Sequence, residues 1–213
     1  MARIVVFGAA GKAGTRIIAE AVSRGHEVTA VARDVSKLDA LPPGVRTSSG
    51  DVTDRGVVDG LAKEADAFVV AVGLPDEESY IRAVESVTQA ASALGDQGPY
   101  ILHMGGGASL LDADGVRHFD SPHFPAAFRP LAAGQIAALE AYRASTGAAW
   151  TYLSPPPVHF APGERTGTYR TGLEQPVVDS SGTARISYED YAVALVDEIE
   201  TPTHRNTRFT VGY

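Results

Sequence analysis

The chain has 213 residues, 44% of them hydrophobic and 21% charged, with a formal net charge of −8 from 26 acidic and 18 basic residues. That size and composition suit one domain spanning 1–213, in which roughly 70% of the unfolded chain's surface can be buried without staples. The absence of cysteine excludes disulfides, thiolate metal sites and a cysteine nucleophile, and the acidic balance with singly scattered Lys and Arg argues against a nucleic-acid partner.

The opening MARIVVFGAAG has an apolar run of a few residues before a glycine turn, too short for a signal-peptide core or a membrane span. A cytoplasmic protein without a membrane partner is therefore expected. Arg3–Phe7 is rich in β-branched residues, the pattern of a strand buried on both faces. A helix over 13–24 follows, with Ile17, Ile18, Ala21 and Val22 at helical spacing and Gly25 as its stop. Glu27–Ala32 reads as the second strand, 34–41 as a short helix ended by Pro42-Pro43, and 45–48 as the third strand. Residues 54–63 form the next helix, with Thr53 or Asp54 able to cap it. The fourth strand is 67–72. The longest helix is 76–94, with Ile81, Val84, Val87 and Ala91 on one face, and Tyr100–Met104 is the fifth strand.

After Met104 the pattern changes. Residues 105–128 are irregular and rich in Asp, His, Phe and Pro. A helix over 131–144 and a strand over 150–153 resume the alternation before a second irregular segment, 154–184. A strand at 185–187, a helix over 189–200 and a strand at 207–211 close the chain. The alternation of short apolar runs with amphipathic stretches predicts an α/β, Rossmann-type doubly wound and mainly parallel sheet with helices on both faces. The two irregular segments form its expected substrate side.

Gly8-Ala9-Ala10-Gly11-Lys12-Ala13-Gly14 lies between the first strand and the first helix, the context in which G-x-x-G-x-x-G binds a dinucleotide. Gly8 permits a tight turn, Gly11 lets a pyrophosphate approach the backbone, and Gly14 lets the helix pack on the strand. The N–H groups of the first helical turn would face the phosphates, so Ala10, Lys12 and Ala13 belong to the candidate site. Strand two ends in Arg33, with Lys37 one turn further on, where an NAD-specific site would place a carboxylate. A guanidinium suits a 2′-phosphate, which predicts NADP, with NADPH preferred over NADH. Asp34 is better explained as a helix cap. Asp51 and Val52 after strand three, Ala71, Val72 and Gly73 at the end of strand four, and Met104 complete the candidate cofactor residues.

These positions resemble the atypical branch of the short-chain dehydrogenase/reductase superfamily, which includes NmrA-like proteins, NADH–flavin reductase-like proteins and biliverdin reductase B. The glycine turn, VARDVSKL, GGGASLL, WTYLSPP and RISYEDYAVALVDEI carry the resemblance along nearly the whole chain. Active members of the superfamily have Tyr-x-x-x-Lys on the helix after strand five. Here that helix reads LAAGQIAALEAYR, and matching Glu140 to the family's glutamate puts Ala132 and Ile136 at the Tyr and Lys positions. Neither carries a proton, so alcohol–ketone chemistry is not expected.

By analogy with biliverdin reductase B-like proteins, Ser109 and His159 are the candidate catalytic residues, as hydrogen-bond donors to a substrate. His118, Asp120 and His123 lack the helical spacing of a metal site and read as solvated loop residues, so no metal is expected. Phe119, Phe124, Phe128 and Phe160 read as packing over the substrate side. The resemblance implies an NADPH-dependent reductase of a flat small-molecule acceptor such as a flavin or quinone, acting as a monomer or homodimer. The alternative is a non-enzymatic NADP-binding redox sensor of NmrA-like type. An epimerase is disfavoured because it would rely on the absent tyrosine.

Overall fold

In the computed structural model, which describes all 213 residues, every strand of the first half is followed by a crossover that returns to the same sheet. The N-terminal half runs β1 (Arg3–Phe7), α1 (Lys12–Ser23), β2 (Glu27–Ala32), β3 (Arg46–Ser49), α2 (Arg55–Ala62), β4 (Ala67–Val70), α3 (Glu77–Ala93) and β5 (Tyr100–Met104). The remainder adds α4 (Arg129–Ala144), β6 (Trp150–Ser154), β7 (His159–Ala161), β8 (Arg170–Gly172), β9 (Arg185–Ser187), α5 (Tyr188–Glu200) and β10 (Thr207–Gly212). The main sheet has the order β3-β2-β1-β4-β5-β6-β10-β8 and is parallel except for β8, which runs antiparallel to β10. The winding reverses between β1 and β4, so a crevice opens at the carboxyl ends of those two strands.

Residues of β1 alternate between two apolar cores, as a strand buried on both faces requires. Ile4 and Val6 pack with Ile17 and Ile18 of α1 and Leu195 of α5. Val5 and Phe7 pack with Val84 and Val87 of α3 and Leu139 of α4, and Phe7 meets the Phe68 ring edge-on at 5.4 Å between centroids. The predicted doubly wound α/β fold is what the chain adopts.

Four local expectations change. On α3 the buried row is Tyr80, Val84, Val87 and Ala91, whereas Ile81 is 37% exposed, because the tyrosine one residue earlier takes the inward position. The segment predicted as a helix over 34–41 contracts to a single 3-10 turn, Val35–Leu38, capped by Asp34. The fourth strand ends at Val70, two residues early: Ala71 keeps one hydrogen bond to the Phe7 carbonyl, and Val72 and Gly73 lie beyond the ladder. The second irregular segment contains two short strands: β7 pairs in parallel with β9 in a separate two-stranded sheet, and β8 joins the edge of the main one. Three-residue strands flanked by Pro and Gly carry too little alternation to be read without their partners. The first irregular segment holds the 3-10 turns Gly107–Ser109, His118–Asp120 and Ala126–Phe128 and one antiparallel bridge between Leu111 and Arg117, and α4 begins at Arg129 with Pro130 in its first turn.

Candidate functional site

The glycine turn closes the gap between three elements. Gly8 has φ +80°, and a Cβ there would lie 2.1 Å from the Ala71 carbonyl oxygen beyond β4. A Cβ on Gly14 would lie 2.3 Å from the Gly8 carbonyl oxygen, so α1 sits directly on the exit of β1. Helix α1 starts at Gly11 with no side-chain cap and no carboxylate in its first turn, whereas α2, α3 and α5 are capped by Asp54, Asp76 and Ser187. The backbone N–H groups of Lys12, Ala13 and Gly14 have no acceptor within the protein. An uncompensated helix N-terminus at a crevice of the sheet is suited to an anion.

A cleft of about 360 Å³ runs from this turn across the strand ends. Gly8, Ala10 and Gly11 line it with Arg33 and Lys37, then Asp51 and Val52 after β3, then Ala71, Val72 and Gly73 after β4. The sheet order β3-β2-β1-β4 thus places Asp51 and Arg33 on one side of the glycine turn and Ala71, Val72 and Gly73 on the other, so residues scattered along the sequence line one groove. Arg33 and Lys37 are exposed, and neither side chain has a hydrogen-bond or ion-pair partner within the protein. Asp34 is turned away to its cap, accepting from the Ser36 N–H at 3.1 Å and from Ser36 Oγ at 2.7 Å. Those hydrogen bonds hold its carboxyl below the usual carboxylate range. Asp51 combines two roles: its Oδ1 accepts from the Thr53 N–H at 2.9 Å and from Thr53 Oγ1 at 2.8 Å, while the residue lines the groove.

A second cavity, about 720 Å³, adjoins the first and shares Gly11, Ala71, Val72 and Gly73 with it. Lys12, Ala13 and Met104 line this second part, and Gly14 lies beneath without lining either. Its walls are mainly apolar, with Phe124, Phe128 and Phe160 among them and no Asp or Glu. The polar side chains are Lys12, Tyr80, His118, Gln135 and Tyr188. Two of these are tied into a buried network. Gln135 Nε2 donates to the Tyr80 hydroxyl at 3.3 Å, and the Tyr152 hydroxyl donates to Gln135 at 3.0 Å and accepts from the Gly106 N–H at 3.0 Å. Burial pushes the Tyr80 and Tyr152 hydroxyls up, so they stay protonated and serve as fixed hydrogen-bonding groups.

Neither residue expected on the acceptor side reaches this cavity. Ser109 is 7% exposed and its 3-10 turn directs it into the protein, where Oγ accepts from Arg208 Nη1 at 3.2 Å and donates to the Gly106 carbonyl at 3.4 Å. His159 lies on β7, where side chains alternate. Val158 and Phe160 face the cavity and His159 faces away. His118, expected in a solvated loop, lines the cavity instead, while Asp120 pairs with Arg117 at 2.6 Å. No spacing in the sequence marks His118, because the fold of residues 105–128 alone turns it inward.

On α4, Ala132 lines the cavity and Ile136 does not. The chain's only lysines are Lys12, Lys37 and Lys63, all well before α4, so a Tyr-x-x-x-Lys pair cannot form there.

The sequence profile of the NAD(P)H-binding family matches residues 8–202. The Bacillus subtilis protein YwnB is 38% identical over 212 residues, covering 98% of this chain and 97% of its own. Among solved structures, a candidate epimerase from Bacteroides thetaiotaomicron superposes with a TM-score of 0.89 at 34% identity, over 99% of this chain and 96% of its own. A candidate NADH-flavin reductase from Streptococcus pneumoniae gives 0.84 at 31% identity, over 100% and 99%. With its glycine turn, bare helix start and parallel crevice, this chain belongs to the NAD(P)H-binding family, a Rossmann-fold group of the atypical short-chain dehydrogenase/reductase type.

Proposed function

We propose that the chain is an NADPH-dependent reductase that passes hydride to a flat, conjugated small-molecule acceptor of the flavin or quinone class. The observation that carries this reading is the apolar, aromatic-walled cavity opening directly off the dinucleotide groove, with no Tyr–Lys pair at its reacting end. The free N–H groups of Lys12, Ala13 and Gly14 bind the diphosphate, and Arg33 with Lys37 receives the 2′-phosphate. Ala71, Val72 and Gly73 form the floor common to both compartments, which lets the nicotinamide end extend into the second. When bound, the reduced nicotinamide supplies a hydride. Phe124, Phe128 and Phe160 orient a planar ring and keep water from it. An electron-poor ring accepts hydride with modest acid assistance, so positioning supplies most of the rate.

The missing pair on α4 also fits a second reading, an NADP-binding sensor without turnover. Purified protein mixed with NADPH and either flavin mononucleotide or a naphthoquinone separates the two. Loss of absorbance at the reduced-nicotinamide band, faster with NADPH than with NADH, supports the reductase. Tight NADP binding by calorimetry with no turnover across a broad acceptor panel supports the sensor.

A further inference from the structure

We propose that His118 is the proton donor on the acceptor side of the cavity and that the acceptor is a quinone-type ring whose carbonyl oxygen it protonates. This rests on the reductase reading above and adds the residue and the substrate class.

Of the five polar side chains facing the cavity, Tyr80 and Gln135 are engaged with each other and with Tyr152. Lys12 stands at the opening of α1 beside the diphosphate position. Tyr188 is held edge-on against the Phe160 ring at 4.2 Å between centroids. Like Lys12 and Tyr188, His118 has no side-chain hydrogen-bond partner in the protein, but it alone of the three is an imidazole. Its backbone N–H is fixed to the Leu110 carbonyl at 2.9 Å, and its ring meets Phe124 edge-on at 5.6 Å, yet neither ring nitrogen has a partner in the protein. An imidazole is the side chain whose charge ordinarily changes between pH 5 and 8, which makes it a general acid at neutral pH.

The charged groups around it leave it free. On its own turn, Arg117 and Asp120 are paired with one another. From the start of α4, Arg129 lies over the Phe119 and Phe124 rings at 4.9 and 5.7 Å. Lys12 shares the cavity wall, and the turn Gly107–Ser109 presents no ionisable group. No carboxylate lines the cavity beside His118.

The step balances. The quinone gains a hydride, that is two electrons and one proton, from the reduced dinucleotide, and one further proton from the His118 imidazolium. Both hydrogens end on carbonyl oxygens, giving the hydroquinone, and the neutral imidazole regains its proton from water.

The test combines side-chain NMR with kinetics. With oxidised NADP and menadione present, the His118 ring resonances, assigned by their loss in His118→Gln, should shift while those of His123 and His159 stay still. In turnover with NADPH and menadione, His118→Gln should lose about ten- to hundredfold in kcat and flatten the pH profile, with KM for NADPH unchanged. Tyr188→Phe, which removes the competing hydroxyl from the cavity wall, should lose less than His118→Gln. His118→Asn serves as a second variant should the first melt early. Unmoved His118 resonances, or a variant that keeps its rate and pH profile while the wild type turns over, overturn the assignment of His118 alone. Shifted resonances in a wild type that reduces no acceptor overturn the proton transfer and the reductase reading together. A larger loss in Tyr188→Phe than in His118→Gln moves the role to the tyrosine.

Discussion

Ser109 Oγ lies 3.2 Å from the guanidinium of Arg208, a side chain with no exposed surface whose carboxylate partner is Glu174. A buried cation needs every donor matched, and Ser109 and Ser154 supply acceptors that Glu174 cannot reach. The serine after β5 therefore stabilises the fold. Ser109→Ala should lower stability in urea by about 1–2 kcal/mol while leaving turnover within about twofold. Glu174→Ala, which leaves the guanidinium without its counter-charge, should cost more, about 3 kcal/mol.

Gly8→Ala combines a left-handed backbone with a Cβ placed 2.1 Å from the Ala71 carbonyl. The turn must shift to accept it, at about 1–3 kcal/mol for the strain alone. The diphosphate cradle moves with it, so thermal melting should fall and the stabilising effect of added NADP on melting should vanish. A variant still stabilised as strongly as the wild type would show that the turn does not hold the dinucleotide.

Arg33 is exposed and lines the groove without a protein partner, so its replacement should leave the fold unharmed. Arg33→Ala should raise KM for NADPH about ten- to hundredfold, the worth of one charge-assisted hydrogen bond. KM for NADH should hardly change. Equal effects on both cofactors would assign Arg33 a general electrostatic role.

His103 on β5 is fully buried, and that burial lowers its pKa to about 4. Its ring stacks on Tyr152, Nδ1 meets the Tyr142 hydroxyl at 3.2 Å, and Nε2 has no partner. The folded state disfavours the charged form, so the unfolded chain binds the extra proton between its usual value near 6.5 and about 4. Stability is full above pH 6.5 and falls as the pH drops through that window, by about 3 kcal/mol at most. Urea unfolding of the wild type and His103→Phe between pH 4 and 7 should show a slope that the variant lacks. Parallel slopes would mean that His103 does not control the acid limb.

The lining of the first groove is legible in the sequence because its signals are local. Gly8, Gly11 and Gly14 are spaced by the turn they make, and Arg33, Asp51 and Gly73 each follow a strand whose apolar run is easily read. Asp34 reads as a cap from its place at a helix start, and its carboxylate accepts from Ser36 two residues on. The acceptor half is not legible in this way. Ser109 and His159 were placed by likeness to relatives, but the orientation of a side chain in a turn or a three-residue strand is set by neighbours far along the chain. Arg208 is 99 residues from Ser109, and β9 pairs β7 across more than twenty intervening residues.

Sequence by itself determined the doubly wound sheet, the strand buried on both faces and the dinucleotide turn, since each follows from periodicity or from glycine at a fixed spacing within one βα unit. Only the tertiary structure decided which side chains face the second cavity. It turned His118 in, His159 out and Ser109 onto a buried guanidinium. Direction in irregular backbone is fixed by long-range packing and by the need to satisfy buried polar groups, and neither leaves a pattern in the order of residues.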